Sequence, residues 1–528
     1  MLYFIPAWYQ QDEWCENEQV WNVRRMHTEF DDTVKQIQLF HRNGACPYRI
    51  LLLGFTPNFR HFLHRQGVFH APYLSCFDAL QEIRRKRPMV LSFHNLNWPA
   101  GIEFIYTPFV VVAMLKGEKY AQIEFGEDGN PIRIALFEQG RICRRNIYDD
   151  RGFVSATVLF KKGKPFCQDY LTEDGTWKMR CFASDGHVEI NPKCPQYLLQ
   201  YEGQEQKKPF LKRSYESMEQ VIGEVFSEYL NLTEDTDLFC AAMHKRHAGL
   251  LQEALSGKKL ILSYFSDRYP VKDHPETFDM AEQADYIIVD SRENLKRFQK
   301  EKRITVKQIK NISPYDSRVD FGISQQLDVQ KILVPVDGVH DMVFQWMIQL
   351  FGAYVSEHKN AQIHLFTRQA QRDRCEQLLG DTRRYLAKAR LPEDLAAASA
   401  QIHGEKDAKD SFPVKFFVEQ CVDELEVSKC MREQRLIVDM RKSPELYLQI
   451  LAISIGVPQI VRTKTEFVEQ GKNGIVLKKP GQLGKALDYY LNGLENWNKA
   501  MVCAFELGKK YTAEKLVEEW KEVIDFIG

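Results

Sequence analysis

The stretch that decides the architecture runs from Leu436 to Leu477. Leu436-Ile437-Val438-Asp439 is a short apolar run, and Ser443-Pro444-Glu445 opens a longer one, Leu446–Ile455. Gly456-Val457-Pro458 interrupts that run before Gln459-Ile460-Val461. The pattern predicts strand, helix, strand. Gly456 can adopt the left-handed conformation that ends a helix, and Pro458 prevents the helix from continuing. Asn473-Gly474 supplies a tight turn before a further strand at Ile475–Leu477. Strand–helix–strand order implies right-handed crossovers and a parallel sheet covered on both faces.

Working outward, the same rhythm begins at Lys331–Val336 and includes strands at Gln362–Phe366 and Lys415–Val418. Amphipathic helices near Leu483–Leu494 and Trp497–Phe526, the second breaking near Gly508, close the chain. Upstream, Ala284–Ser291 reads as a buried strand whose Ser291 caps a helix running to Lys300. Strand Leu260–Tyr264 and helix Ser214–Tyr229 precede it. Residues 1–98 alternate strands (Leu2–Pro6, Arg49–Leu53, Met89–Phe93) with helical spacing at Glu29–Arg42 and Ser75–Arg87. Between them lie short β-rich runs punctuated by Asp128-Gly129, Lys162-Gly163, Asp174-Gly175 and Asp185-Gly186, a strong hairpin signal. The expected organisation is an α/β protein of two Rossmann-type domains facing a cleft, with an antiparallel β-meander inserted in the first. Residues 1–99 and 216–325 form the first domain, 100–215 the insert, 326–505 the second domain, and 506–528 a C-terminal helix packing back on the first.

Composition excludes several classes. The 528 residues allow three to four units at roughly 150 each. A hydrophobic share of 44% is enough for sizeable cores and rules out a largely disordered chain. Lys and Arg number 71 against 72 Asp and Glu, so there is no general electrostatic pull on nucleic acid. No run approaches ~18 uninterrupted apolar residues, so no spanning helix is expected. The N-terminus lacks a basic segment and cleavage site and reads as a buried strand. The 12 cysteines include no Cys-x-x-Cys pair, against a zinc ribbon or redox dithiol. Reduced thiols in the cytoplasm, no metal and no cofactor are the expectation. No Gly-x-x-x-x-Gly-Lys-Ser/Thr loop is present, so any ATP is hydrolysed by another protein.

The helix–Gly-x-Pro–strand order and the Glu466-Phe467-Val468-Glu469-Gln470-Gly471-Lys472-Asn473-Gly474 segment resemble the donor-nucleotide half of GT-B glycosyltransferases. That resemblance implies donor contacts at defined positions. The family's ribose-binding Glu falls at Leu451, and its partner at Ser443. The diphosphate-binding cation falls at Val336-Asp337, where no cation stands and Asp337 repels phosphate. The family's Gly-Gly turn is replaced by Arg462-Thr463-Lys464-Thr465, ahead of Glu466. At about 1.5–3 kcal/mol per charge-assisted hydrogen bond, losing three contacts removes most nucleotide-sugar affinity. Lys464 or Arg462 could replace the lost cation, which keeps an active enzyme as the alternative.

Tyr3-Phe4-Ile5-Pro6-Ala7-Trp8-Tyr9, Glu29-Phe30-Asp31-Asp32-Thr33, Tyr148-Asp149-Asp150-Arg151-Gly152-Phe153 and Ser313-Pro314-Tyr315-Asp316-Ser317-Arg318 narrow the likeness. They resemble the first-accessory-secretory-protein family of the Gram-positive accessory Sec system. The resemblance implies a non-catalytic cytoplasmic subunit, peripheral at the membrane through the translocase. Its implied partners are two other accessory secretory proteins, a motor ATPase and, indirectly, a dedicated membrane channel. Its implied cargo is a glycosylated serine-rich repeat adhesin. Two alternatives stand beside it: an active glycosyltransferase modifying that adhesin, and a carbohydrate-binding subunit recognising its glycans.

Other residues carry a plain reading beside a functional one. Trp8 and Tyr9 could stack on sugar or anchor a partner, but aromatics so placed more often belong to a core. His94 follows an expected strand, where α/β sheets place ligands, yet a loop histidine is the commoner case. Arg84-Arg85-Lys86-Arg87 fits a helix C-terminus, and Glu445 fits a helix N-terminus.

Overall fold

The computed structural model describes residues 1–10, 13–15, 20–22, 28–44, 46–301, 304, 308–371, 373–397 and 414–528. Seven parallel strands form the first sheet, in the order Ile309–Asn311, Tyr286–Val289, Lys259–Tyr264, Leu238–Ala242, Leu2–Ile5, Tyr48–Leu52, Tyr73–Ser75. Leu2–Ile5 lies near its middle with every residue buried, as a strand covered on both faces requires. Its neighbour Leu238–Ala242, equally buried, has no counterpart in the sequence expectations.

Two expectations near residue 90 are corrected. Met89–Phe93 is not a strand; Tyr73–Ser75 takes the sheet edge beside Tyr48–Leu52 instead. Val90 is 89% exposed, and the Met89 N–H donates to the Asp150 carbonyl at 2.8 Å, so this stretch is a link into the insert. The helix after Ser75 spans only Cys76–Leu80. Arg84 and Arg85 are therefore not at a helix end; their backbone N–H groups donate to the Glu173 carboxylate.

The insert is a ten-stranded sheet, antiparallel throughout, running from Ile102–Tyr106 at one edge to Ser214–Tyr215 at the other. A separate hairpin, Gln196–Tyr201 with Gln204–Pro209, turns Tyr197 and Leu199 into the first domain's core. A buried ionic clamp joins insert to domain. Arg151 bonds Asp149 through Nε and Nη2 at 2.7 Å each, and Asp78 through Nη1 and Nη2 at 2.9 and 2.8 Å. Arg60 bonds Asp150 through Nε at 2.5 Å, and the Arg60 and His61 N–H groups donate to the same carboxylate. Asp149 is held below the usual carboxylate range by Arg60 and Arg151, against the opposing effect of burial.

Six parallel strands form the second sheet: Phe416–Gln420, Ala361–Thr367, Gln330–Pro335, Gln434–Asp439, Gln459–Val461, Gly474–Val476. Helix Leu446–Ile455 ends at Gly456, φ +82°, whose N–H returns to the Ala452 carbonyl. A Cβ there would meet Met501 Cγ at 2.6 Å, so conformation and packing both require glycine. After Glu495–Gly508 the chain turns through Lys509–Tyr511 into a last helix, Ala513–Ile527. This helix crosses back to the first domain: Leu516, Val517, Trp520 and Val523 share a core with Leu2, Phe4 and Phe40. Among the described residues no helix is long and apolar enough to cross a membrane.

Two stability tests follow from this packing. Arg151→Met removes the bidentate partner of the buried Asp149 carboxylate and should cost about 3–5 kcal/mol in urea unfolding. Trp520→Ala empties the junction between the last helix and the first sheet and should cost about 3–5 kcal/mol. An effect below ~1 kcal/mol in either would contradict the packing described.

Candidate functional site

A cleft of about 840 Å³ separates the two parallel sheets. Its walls are the segments that follow the carboxyl ends of strands, where open α/β sheets place ligands. From the first domain come Phe265-Ser266-Asp267 after Lys259–Tyr264, and Asp290-Ser291 after Tyr286–Val289. From the second come Asp337 after Gln330–Pro335, Arg368 after Ala361–Thr367, Arg441 beyond Gln434–Asp439, and Thr463–Glu466 beyond Gln459–Val461. Ser443–Leu446, at the start of helix Leu446–Ile455, completes that wall.

Among the described residues the lining carries six acidic and six basic side chains, so the cleft offers a dianionic ligand no net positive charge. The local pairing matters more. The Arg368 guanidinium stacks 3.5 Å above the Phe30 ring and donates through Nη1 to Glu445 Oε1 at 2.5 Å. Arg441 donates through Nε and Nη2 to Asp439 at 2.9 and 2.7 Å, and its Nη1 lies 3.9 Å from Glu445 Oε2. Asp439 holds the Arg441 pKa above its ordinary value despite burial. Arg441 thus reaches the cleft doubly bonded to Asp439, whereas Arg368 commits only Nη1 to Glu445 and leaves Nε and Nη2 buried without a hydrogen-bond partner.

Asp337, expected to face phosphate, is committed inward. Its carboxylate accepts from Thr367 Oγ1 at 2.7 Å and the Arg368 N–H at 2.6 Å, with Arg374 Nη2 at 3.6 Å. On the opposite wall Asp290 accepts from the Ser266 N–H, Ser266 Oγ and Asn294 Nδ2 at 2.6, 3.0 and 2.9 Å, and burial pushes its carboxyl upward. The Asp267 carboxyl is pushed up to about 6, first by desolvation between the walls, then by the charges of Glu445 and Asp290. Its side chain is open to cleft water, so screening lowers the energetic weight of that shift.

The sequence-derived positions separate into distinct groups. Asp337, Ser443, Thr463, Lys464 and Glu466 line the cleft. Thr463 Oγ1 donates to the Lys442 carbonyl at 2.9 Å, closing its own loop, and Lys464 is exposed at the rim. Glu466 accepts from Asn311 Nδ2 at 2.6 Å, a bond between the two domains. Val336 is buried in the second domain's core. Arg462 is exposed and does not line the cleft; its N–H donates to the Asp439 carbonyl. Leu451 packs against a hydrophobic cluster instead of facing the cavity.

Outside that set, Trp8, Tyr9 and His94 take the core and loop places of their plain reading, while the strand expected before His94 and the capping role expected of Glu445 are corrected. Trp8 is buried against Phe59 and Phe62, with Nε1 donating to Asp31 at 3.1 Å, and the Tyr9 hydroxyl bonds His247 Nδ1 at 2.9 Å; both serve the first domain's interior. His94 does not follow a strand: it sits in the turn Phe93–Asn95, its ring against Phe93 and Phe104 and Nε2 at 3.2 Å from the Tyr106 hydroxyl. Glu445 stands at the helix start but makes no side-chain cap, because its carboxylate is taken by Arg368.

The sequence reading missed Arg368, Arg441, Asp267 and Asp290 as cleft residues. Arg368 and Arg441 each lie two residues beyond an expected strand (Gln362–Phe366 and Leu436–Asp439), a position that could have flagged them.

Comparison with known proteins places these features. A family model for the accessory Sec system protein named accessory secretory protein 1 matches residues 1–525. The protein of that name from Streptococcus gordonii is 31% identical over 538 residues, covering 99% of this chain and 100% of the relative. A chain in the crystal structure of accessory secretory protein 1, 2 and 3 in Streptococcus pneumoniae superposes with a TM-score of 0.81 at 29% identity, covering 100% of this chain and 99% of the other. The pneumococcal O-GlcNAc transferase GtfA, solved with UDP and GlcNAc, superposes at 0.70 over 100% of this chain and 98% of its own, at 12% identity. That last likeness is one of fold alone, the GT-B arrangement.

The cleft makes a pH test available. The folded-state pKa of Asp267, about 6, exceeds its ordinary value of 3.8, so the folded chain binds the extra proton between those values. This group's contribution is therefore favourable at low pH and is lost as pH rises through about 6. Asp267→Asn should raise stability relative to the parent at pH 7.5 and lose that advantage by pH 4, read by urea unfolding at both values. Equal differences at the two pH values would contradict the assignment.

Proposed function

Because this chain belongs to the accessory Sec system family of accessory secretory protein 1, we propose that it works as a non-catalytic GT-B-like scaffold in the export of a glycosylated serine-rich repeat adhesin. It acts on the cytoplasmic side with two further accessory secretory proteins and a motor ATPase. A solved assembly of accessory secretory proteins 1, 2 and 3 supports the first two partners. One observation carries the non-catalytic reading: each buried arginine of the donor wall has a carboxylate of its own domain beside it, Glu445 at Arg368 and Asp439 at Arg441. A nucleoside diphosphate entering there meets the Glu445 and Asp439 carboxylates beside those guanidiniums, and displacing either from its buried pair costs about 3–5 kcal/mol.

The size of the cleft favours a second reading, in which it holds a neutral glycan of the cargo. A sugar brings hydroxyl groups and no charge, so it can enter without disturbing the ion pairs. The two readings agree that no glycosyl transfer occurs.

The test combines transfer and association. Full-length chain incubated with a serine-rich acceptor peptide and the common nucleotide sugars should form no glycopeptide by mass spectrometry. Co-expressed with the two companion proteins, it should co-purify as one assembly. Glycopeptide formed by the isolated chain would overturn the non-catalytic reading, and failure to associate would overturn the scaffold reading.

A further inference from the structure

Outside the cleft, one side-chain cluster in the second domain has the composition of a metal site. Strand Phe416–Gln420 alternates its side chains, so Phe417, Glu419 and, just past its end, Cys421 project to one face. Helix Glu424–Arg432 brings Cys430 over that face. One carboxylate oxygen of Glu419 and the Sγ atoms of Cys421 and Cys430 all lie within 4.8 Å of one another. Metal–sulfur bonds of about 2.3 Å and metal–oxygen bonds of about 2.0–2.2 Å allow one ion to touch all three atoms. The sequence concealed this arrangement because eight residues separate the two cysteines, outside the usual short spacing of zinc ribbons.

Two further observations distinguish the cluster from ordinary buried thiols. His364, on the neighbouring strand Ala361–Thr367, stacks on Phe417 and places Nδ1 2.7 Å from Glu419 Oε1. A histidine fixing a carboxylate in this way is the outer-shell support that orients a ligating oxygen. Gln434, 1% exposed, brings its amide Nε2 to 3.7 Å from Cys430 Sγ and leaves its Oε1 buried with no hydrogen-bond partner. A buried amide oxygen without a donor, on the side chain whose nitrogen meets Cys430 Sγ, is an unexplained polar atom next to the cluster.

We propose that Glu419, Cys421 and Cys430 bind a thiophilic divalent cation of the zinc class. Binding replaces two S–H bonds with two metal–sulfur bonds and releases two protons to solvent, with no change in oxidation state. The site would tie the edge strand of the second sheet to helix Glu424–Arg432. That helix also reaches the first domain, since Glu424 accepts from Lys35 Nζ at 2.8 Å through both oxygens. The cation therefore buttresses one of the contacts that hold the cleft walls together.

The test uses reduced full-length chain equilibrated with zinc, passed through a desalting column and measured for metal content, then repeated with cobalt as a spectroscopic stand-in. About one ion per chain should remain, and the cobalt form should show thiolate-to-metal charge-transfer absorption, as sulfur ligands require. Cys421→Ser with Cys430→Ser should abolish both signals. Glu419→Gln, which leaves both sulfurs and the core volume intact, should weaken affinity roughly tenfold or more. No retained zinc, a cobalt spectrum without a thiolate band, or a native mass lower by two hydrogens, marking a Cys421–Cys430 disulfide, would each overturn the proposal.

Discussion

The pairing of Arg368 and Arg441 with carboxylates of their own domain governs what the cleft can do. Parallel α/β sheets deliver side chains to the carboxyl ends of their strands, and in this second domain they deliver two buried guanidiniums there. A free guanidinium at that place would be a phosphate site. Glu445, at the start of the helix where a ligand's negative charge would otherwise be welcome, occupies Arg368 and lies near Arg441. A carboxylate ~4 Å from a phosphate oxygen opposes it by about 4 kcal/mol at an effective dielectric near 20. The chain's own acid thus takes the position an anionic ligand would need.

The same domains are held by contacts that do not depend on any ligand. Glu466 bonds Asn311 across the cleft, Glu424 bonds Lys35, and the last helix carries Trp520 into the first domain's core. The insert is fastened by the Arg60, Asp149, Asp150 and Arg151 clamp, whose charges are buried and mutually satisfied. Buried ion pairs of this kind add little net stability but are costly to break, so they fix orientation more than they add strength. A scaffold that presents fixed surfaces to partners is served by such contacts.

Much of the fold was legible because local rules and tertiary structure agree. Gly456 and Pro458 punctuate helix and strand as their backbone chemistry requires, and X-Gly turns mark the hairpins of the insert. Leu238–Ala242 escaped notice because Cys240-Ala241-Ala242 has weak strand character by itself; its place near the middle of the sheet, covered on both faces, selects small side chains. Met89–Phe93 misled for the opposite reason, as an apolar run in a link, where Met89 and Val90 are exposed and Leu91 and Phe93 pack against the insert. The cleft was half legible. Positions of missing donor contacts could be counted from Gly456, but the pairing of Arg368 with Glu445, 77 residues apart, exists only once both strands and the helix are assembled.

Titration calorimetry of uridine diphosphate into the full-length chain addresses the cleft's electrostatics most directly. With Arg368 and Arg441 held by Glu445 and Asp439, no saturable heat should appear below millimolar ligand. Micromolar binding that disappears on replacing Arg368 or Arg441 would show that those guanidiniums remain available to phosphate, and would contradict the reading of the cleft as electrostatically closed.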